Sequence, residues 1–482
     1  MTDTAPAELD ALLDAAVAAA AVLRDRPLTE RAAWLRAAAE ALDADAEALL
    51  PLAEEESHLP RPRLTGELAR TTFQLRLFAD EVETGAFLDA VIDHADPDWG
   101  MGPRPDLRRM LVPLGPVAVW AASNFPFAFS VAGGDTASAL AAGCPVLLVA
   151  HPGHPRLSER TARVLRDALT AAGAPDGVFA LVEGQDAGRT LIQDPRVTAG
   201  AFTGSLRGGR ALFDLAAGRE APIPFYGELG STNPAVVTRG AAGARAAEIA
   251  EGFAGSMSLG VGQFCTKPGV LLVPAGSEVP ALVAERLGAM AGAPMLNGRI
   301  RDGYGQALEA LAAHEVVEVL AGSVDPDADP APTLLRTSAA EVVADPRPLT
   351  AEVFGPAALV VEYADDAELL DAVRAFEGQL TATVHGEPDE QVVPALLDTL
   401  SERAGRVLWG GWPTGVTVSY AQQHGGPYPA TTAVGTTSVG TAAMERFLRP
   451  VAYQGLPDAL LPPPLRDGNP WAVPQRIDGT RP

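Results

Sequence analysis

From residue 116 onward the chain alternates short apolar runs with stretches of helix length, and this alternation constrains its fold more than any other feature. PVAVW at 116–120, PVLLV at 145–149, GVFALV at 177–182 and AGAFTG at 199–204 are separated by stretches near 133–142, 156–172 and 208–217. Short strands joined by helices run parallel, because a parallel pair needs a long crossover where an antiparallel pair needs only a tight turn. The pattern predicts an α/β fold whose first sheet binds a nucleotide at the carboxyl ends of its strands. No G-x-G-x-x-G follows the first run, so the ordinary dinucleotide grip is not expected. Further runs at 270–273, 316–320, 357–363, 381–385 and 406–409 predict a second sheet and a second domain.

The flanks read differently. Residues 7–57 are alanine-rich with leucines at helical spacing, which predicts two or three helices, with Thr29 as an N-cap that lacks a full capping box because Ala32 follows it. A further helical run from Leu64 to Val82 carries Leu68, Phe73, Leu75, Leu77 and Phe78, and is expected to pack against a deep pocket. Met110 to Gly134 holds no charge, but Pro113, Pro116, Asn124 and Pro126 break it, so strand, loop and helix start are expected rather than a membrane span. After Pro450, the prolines at 457, 462–464, 470 and 474 exclude a regular helix or a central strand. An extended arm lying on the body or on a neighbouring subunit is expected there.

Composition narrows the function. A chain of 482 residues suits about three domains. Its 36 basic and 61 acidic residues give a net charge of −25, which repels phosphate backbones and acidic membranes, so neither nucleic acid nor a membrane is an expected partner. Two cysteines, Cys144 and Cys265, build no disulfide framework and no four-cysteine zinc site, and a reducing cytoplasm fits them best. The start, MTDTAPAELD, lacks the basic and apolar regions of a secretory signal. Lys267 is the only lysine.

Few residues stand where chemistry could occur. Cys265, in GVGQFCTKPG, lies between glycines just before an apolar run, where a loop can hold a nucleophile; a buried structural thiol is the competing reading. Asn124, in AASNFPFAFS, follows the first strand and could donate to an oxyanion, or could be a turn residue. Glu228 sits between glycines in YGELGSTNP and Glu352 precedes an apolar run in TAEVFGP; alone, each acid better suits a surface or capping role. His151 and His154 lie in a proline-broken loop with no H-E-x-x-H pattern, so no metal site is expected.

Taken in order, PLGPVAVWAASNFPFAFSVAGGDTASALAAGCPV, AFTGS, GELGSTNP, GQFCTKPG, AEVFGP and HGGPYPATT with TTSVGT and RFLRPVAYQ resemble the aldehyde dehydrogenase superfamily. Within it they resemble the branch of 2,5-dioxovalerate (α-ketoglutarate semialdehyde) dehydrogenases and related NADP-linked enzymes. The resemblance implies Cys265 as nucleophile, Glu228 as general base and Asn124 as oxyanion donor. It implies Glu352 at the nicotinamide ribose, Phe354 against the nicotinamide ring, Gly204 and Ser205 near the pyrophosphate, and Ser123 also at the cofactor, which is NADP or NAD. Related sequences carry a cofactor-binding lysine where this chain has Val149, so weaker cofactor binding is expected. Pro152, near the position that often senses the 2′-phosphate, leaves the choice of cofactor open. Phe125, Phe129, Arg76 and His424 are implied at the entry tunnel, with Arg76 as a cation for a dicarboxylic semialdehyde or, equally, an interdomain salt bridge.

The resemblance further implies a nucleotide-binding domain of residues 1–94 and 114–228 and a catalytic domain of 229–425. An oligomerisation hairpin at 95–113 with a C-terminal arm at 426–482 would support a homodimer or homotetramer. The expected reaction is oxidation of a small aldehyde to the acid through a thiohemiacetal and a thioester on Cys265. Two alternatives remain open at this point: a catalytically silent paralogue serving as a scaffold, and a cofactor-independent thiol esterase.

Overall fold

The computed structural model describes residues 3–325 and 329–480; residues 1–2 and 481–482, the ends of the expected first segment and C-terminal arm, lie outside the described residues. Helices Pro6–Leu23, Leu28–Ala44, Ala46–Ser57 and Arg61–Thr84 come first. Thr29 is not the cap: the second helix starts at Leu28 directly after Pro27, whose fixed φ of −54° sets the chain up for helix, so Thr29 falls within the first turn. On the fourth helix Leu68, Leu75 and Phe78 are buried, whereas Phe73 is 52% exposed. Phe73 shares an outer stripe with Ala69 and Asp80, which helical periodicity turns away from the core.

Every ladder of the five-stranded sheet is parallel, in the order Phe179–Val182, Val146–Val149, Val117–Trp120, Ala199–Thr203 and Phe225–Glu228. Val146–Val149 is buried throughout, as expected of a strand covered on both faces. Seven strands form the second sheet: Glu318–Ala321, Thr333–Ser338, Ala357–Tyr363, Val270–Pro274, Ala235–Val237, Gln379–His385 and Ala404–Trp409. Only its edge strand Glu318–Ala321 runs antiparallel. Strands Phe225–Glu228, Ala235–Val237 and Thr333–Ser338 were not among the expected runs. A four-stranded sheet joins Leu448–Gln454, Leu107–Pro113, Ala90–Asp93 and Gln475–Ile477. Pro450 is tolerated because its strand lies at the edge. Among the described residues no helix is long and apolar enough to cross a membrane.

One buried carboxylate ties the helical layer to the loop that follows Val117–Trp120. Glu67 accepts from the backbone N–H of Phe127 at 2.8 Å and of Ala128 at 3.0 Å. That anchors the turn carrying Asn124, Phe125 and Phe129 on the fourth helix.

Candidate active site

The site forms where the first sheet hands over to the second. Glu228 ends strand Phe225–Glu228, is 4% exposed, and has its chain continued by a backbone bond from Leu229 N–H to the Ala430 carbonyl at 2.8 Å. Cys265 follows a short 3-10 turn and precedes strand Val270–Pro274. Asn233 holds it: with φ at +51°, its Nδ2 donates to the carbonyls of Cys265 at 2.8 Å and Lys267 at 2.9 Å. Gln379 Oε1 in turn accepts from the Thr232 and Asn233 N–H groups at 2.8 and 2.9 Å and from Ser231 Oγ at 2.9 Å.

Cys265 Sγ, His424 Nε2 and a Glu228 oxygen lie within 4.8 Å of one another. His424 Nε2 is 2.9 Å from Glu228 Oε1 and 3.6 Å from Cys265 Sγ, while Ser438 Oγ donates to Glu228 Oε2 at 2.8 Å. Burial pushes Glu228 up, yet the net direction is down, because His424, Ser438 and the Cys265 thiol all favour the carboxylate. The thiol is pushed well up by burial and by the acids Glu228 and Glu352, with Arg70 opposing. A protonated thiol therefore faces an ionised carboxylate. Since a carboxylate only accepts, His424 Nε2 carries the hydrogen, and the thiol proton has Glu228 as its acceptor. His424, expected at the tunnel, thus lies in the reacting cluster.

Asn124 Nδ2 donates to the Gln263 carbonyl at 3.2 Å, which places the amide beside the Cys265 turn. Phe125 meets Phe129 and Phe264 edge-on at 5.3 and 5.2 Å between centroids, walling one side. Arg76 is not there: it is paired with Asp43 at 2.6 Å on the outer face of its helix. Two other arginines of that helix take the inner face. Arg63 lies 4.8 Å over the Phe125 ring and 4.5 Å over Phe264, and Arg70 lies 5.2 Å over Phe129. Arg63 Nη2 donates to the Asn124 carbonyl at 2.7 Å. One buried nitrogen on each, Nη1, lacks a hydrogen-bond partner. Helical spacing was visible for all three, but not the phase that separates Arg76 from Arg70.

The fit to a dinucleotide is uneven along its length. Of the residues expected at the nicotinamide, Glu352 Oε2 faces Gly230 so closely that a Cβ there would lie 2.9 Å away, and Phe354 is half-buried two residues on. Burial pushes Glu352 up to about 7, with Lys267 drawing it down, and burial pushes Lys267 down to about 8. In the middle, Gly204 precedes Ser205, whose Oγ accepts from Gly208 N–H at 3.3 Å to cap helix Leu206–Ala217; Ser205 and Leu206 leave the first turn open to an anion. Ser123 is half-buried at the carboxyl end of Val117–Trp120. At the far end, Val149 is 5% exposed in an apolar cluster with Leu9, Leu13, Ala187 and Leu191. Among the described residues no lysine stands in place of the one that related sequences carry there.

The sequence profile of the aldehyde dehydrogenase family matches residues 1–450. The chain is 47% identical over 464 residues to alpha-ketoglutaric semialdehyde dehydrogenase 2 of Azospirillum brasilense, covering 95% of this chain and 88% of that protein. It is 42% identical over 437 residues to alpha-ketoglutaric semialdehyde dehydrogenase of Acinetobacter baylyi, covering 89% and 83%. Its fold matches that of succinic semialdehyde dehydrogenase from Streptococcus pyogenes in complex with NADP+ at a TM-score of 0.78, with 17% identity over 94% of this chain and 96% of the other. With a thiol, a carboxylate and an amide gathered at the meeting of its two large sheets, and a likeness that runs nearly end to end, the chain belongs to the aldehyde dehydrogenase family.

Proposed function

We propose that the pocket oxidises an aldehyde carrying a carboxylate at its far end, of the α-ketoglutarate semialdehyde type for which the two relatives are named, with reduction of NAD(P)+. The observation that carries this reading is that Arg63 and Arg70, two guanidinium groups beside Phe125 and Phe129 with Glu67, among the described residues, the one carboxylate ion-paired to either, at 3.7 Å from Arg63, each keep one buried nitrogen without a hydrogen-bond partner. An unpaired buried donor is unfavourable until an anion fills it, and a carboxylate is the natural complement of a guanidinium.

The chemistry follows from the resting geometry. Glu228, kept ionised by the His424 N–H and the Ser438 hydroxyl, takes the Cys265 proton, and the thiolate adds to the aldehyde carbon. Asn124 Nδ2 exchanges its bond to the Gln263 carbonyl for one to the new oxyanion. When bound, NAD(P)+ supplies the hydride acceptor, with Glu352 and Phe354 holding its nicotinamide end and Gly204, Ser205 and Ser123 its phosphates. The Cys265 thioester is then opened by water whose proton Glu228 accepts, its first proton having passed to solvent. A scaffold needs no such cluster, and an esterase needs no Glu352 pocket, so neither alternative is favoured.

Other parts of the expected organisation belong to the same reading. The unit built on the five-stranded sheet (residues 1–94 and 114–228, of which Ala90–Asp93 pairs into the four-stranded sheet) holds the cofactor, and the unit built on the seven-stranded sheet (229–425) carries the nucleophile. The four-stranded sheet, whose edge strand Leu448–Gln454 is largely exposed, offers a backbone edge to a second copy in a homodimer or homotetramer. Two free cysteines suit a reducing cytoplasm.

Glu228→Gln is expected to stall the cycle after hydride transfer, so that intact-protein mass spectrometry finds an acylated Cys265; no acyl-enzyme with a rapidly oxidised aldehyde counts against Glu228 as base. Arg70→Met should raise KM for a carboxylated semialdehyde by about tenfold or more while leaving that for an uncharged aldehyde of equal length within about threefold. Equal effects on both would show that Arg70 does not read the carboxylate. At the adenosine end the missing ammonium leaves affinity about ten- to 150-fold below what a charged hydrogen bond would add. Val149→Lys is therefore expected to tighten NAD+ or NADP+ by about tenfold in calorimetry, with kcat at saturation little changed. No gain for either cofactor would mean that the packing of Val149 against Leu9 and Leu13 closes the site to lysine.

A further inference from the structure

Every basic residue but one among 36 is arginine, so wherever a cation alone suffices this chain uses arginine. The exception, Lys267, lies two residues past the nucleophile and is 4% exposed. Its ammonium donates to the carbonyls of Val353 at 2.8 Å, Gly355 at 3.2 Å and Ala357 at 2.7 Å. Three donors meet three acceptors arranged around one nitrogen. A guanidinium presents five donors in a flat fork and cannot take that place.

The three carbonyls all belong to the segment that follows Glu352 and carries Phe354. The backbone of Lys267 belongs to the nucleophile turn: its N–H donates to the Phe264 carbonyl at 3.1 Å, and its own carbonyl accepts from Asn233 Nδ2 at 2.9 Å. A second contact joins the same two segments. Gly262 has φ of +64°, and a Cβ there would lie 2.2 Å from the Gly355 carbonyl oxygen, so the two backbones touch with no room for a side chain. A small cavity lined by Ser231, Lys267, Gly269, Glu352 and Val353 lies alongside.

We propose that Lys267 is a positioning residue that fixes the Glu352–Phe354 segment against the Cys265 turn, so that the nicotinamide end of the cofactor meets the adduct on the thiol. This rests on the reading of Glu352 and Phe354 as nicotinamide contacts. The ammonium also favours the charged form of Glu352, whose other titratable neighbours, Glu228 and Cys265, are both acids. Without it, three buried carbonyls lose their donor and Glu352 ionises only at higher pH.

The test compares Lys267→Met, Lys267→Arg and Glu352→Gln for folding by circular dichroism, aldehyde oxidation, and cofactor-free hydrolysis of p-nitrophenyl acetate by Cys265. Lys267→Met is expected to lose about 30-fold or more in kcat for oxidation, exceeding any loss in ester hydrolysis by about tenfold. In wild type, cofactor KM should rise as pH falls through about 7, where Glu352 takes up its proton. In Lys267→Met that rise should begin about one pH unit higher. Lys267→Arg should share the loss in kcat yet keep the wild-type pH dependence, because it restores charge without the three-carbonyl geometry. The proposal is overturned if Lys267→Met oxidises within about threefold of wild type, or if both activities fall equally, or if Lys267→Arg matches wild type throughout. Should Lys267→Met not fold, the Lys267→Arg result decides alone. Glu352→Gln separates the underlying reading: an unaltered cofactor KM at every pH would remove Glu352 from the cofactor site, whatever Lys267 does.

Discussion

The active site hangs from one side chain. Asn233 takes up a left-handed conformation and spends its amide on the carbonyls of Cys265 and Lys267, while the backbone on its N-terminal side is gripped by Gln379. Through this clamp the segment leaving Glu228 is fastened to the turn that carries the thiol, so acid and nucleophile cannot drift apart. The network is buried, and within it each bond strengthens the next; a buried polar network missing a partner would be worse than an apolar core. Both large sheets contribute. Glu228 ends a strand of one, Gln379 begins a strand of the other, and the thiol sits at the seam.

Charge is arranged around that seam in opposition to the rest of the molecule. The chain is acidic overall, at −25, yet Arg63 and Arg70 lie half-buried over the aromatic rings near the thiol, with Glu67 as a neighbouring carboxylate. Deeper in, Glu228 and Glu352 crowd the thiol and hold its proton on, and Arg70 opposes them. In the proposed reaction, a thiol kept protonated until its neighbouring carboxylate accepts the proton would deliver the nucleophile only in company with its base. His424 and Ser438 make this possible by keeping Glu228 charged despite its burial.

Local pattern carried much of this. Alternating apolar runs and helices located most strands of both large sheets within a residue or two, because a doubly covered strand must be apolar along its whole length. Local pattern left Cys265, Glu228 and Asn124 open to structural readings, and only the ordered family motifs around them suggest roles. Strand Phe225–Glu228 was missed, since its tyrosine, glycine and glutamate break the apolar signature. Arg76 stands on the outer stripe, paired with Asp43; periodicity gives spacing but not which stripe faces inward. Ser438 and Glu228, bonded to each other, are 210 residues apart, and no local signal links them. Lys267 was conspicuous by composition alone, and its role required the positions of three carbonyls.

The central claim is that Cys265, with Glu228 as its base, carries out a nicotinamide-dependent oxidation. Single-turnover mixing of the protein with NAD+ or NADP+ and a carboxylated semialdehyde tests it most directly. The expected result is one reduced cofactor per Cys265 in the first turnover of wild type, and none in Cys265→Ala although cofactor still binds in calorimetry. Oxidation by Cys265→Ala above about a hundredth of the wild-type rate would contradict it.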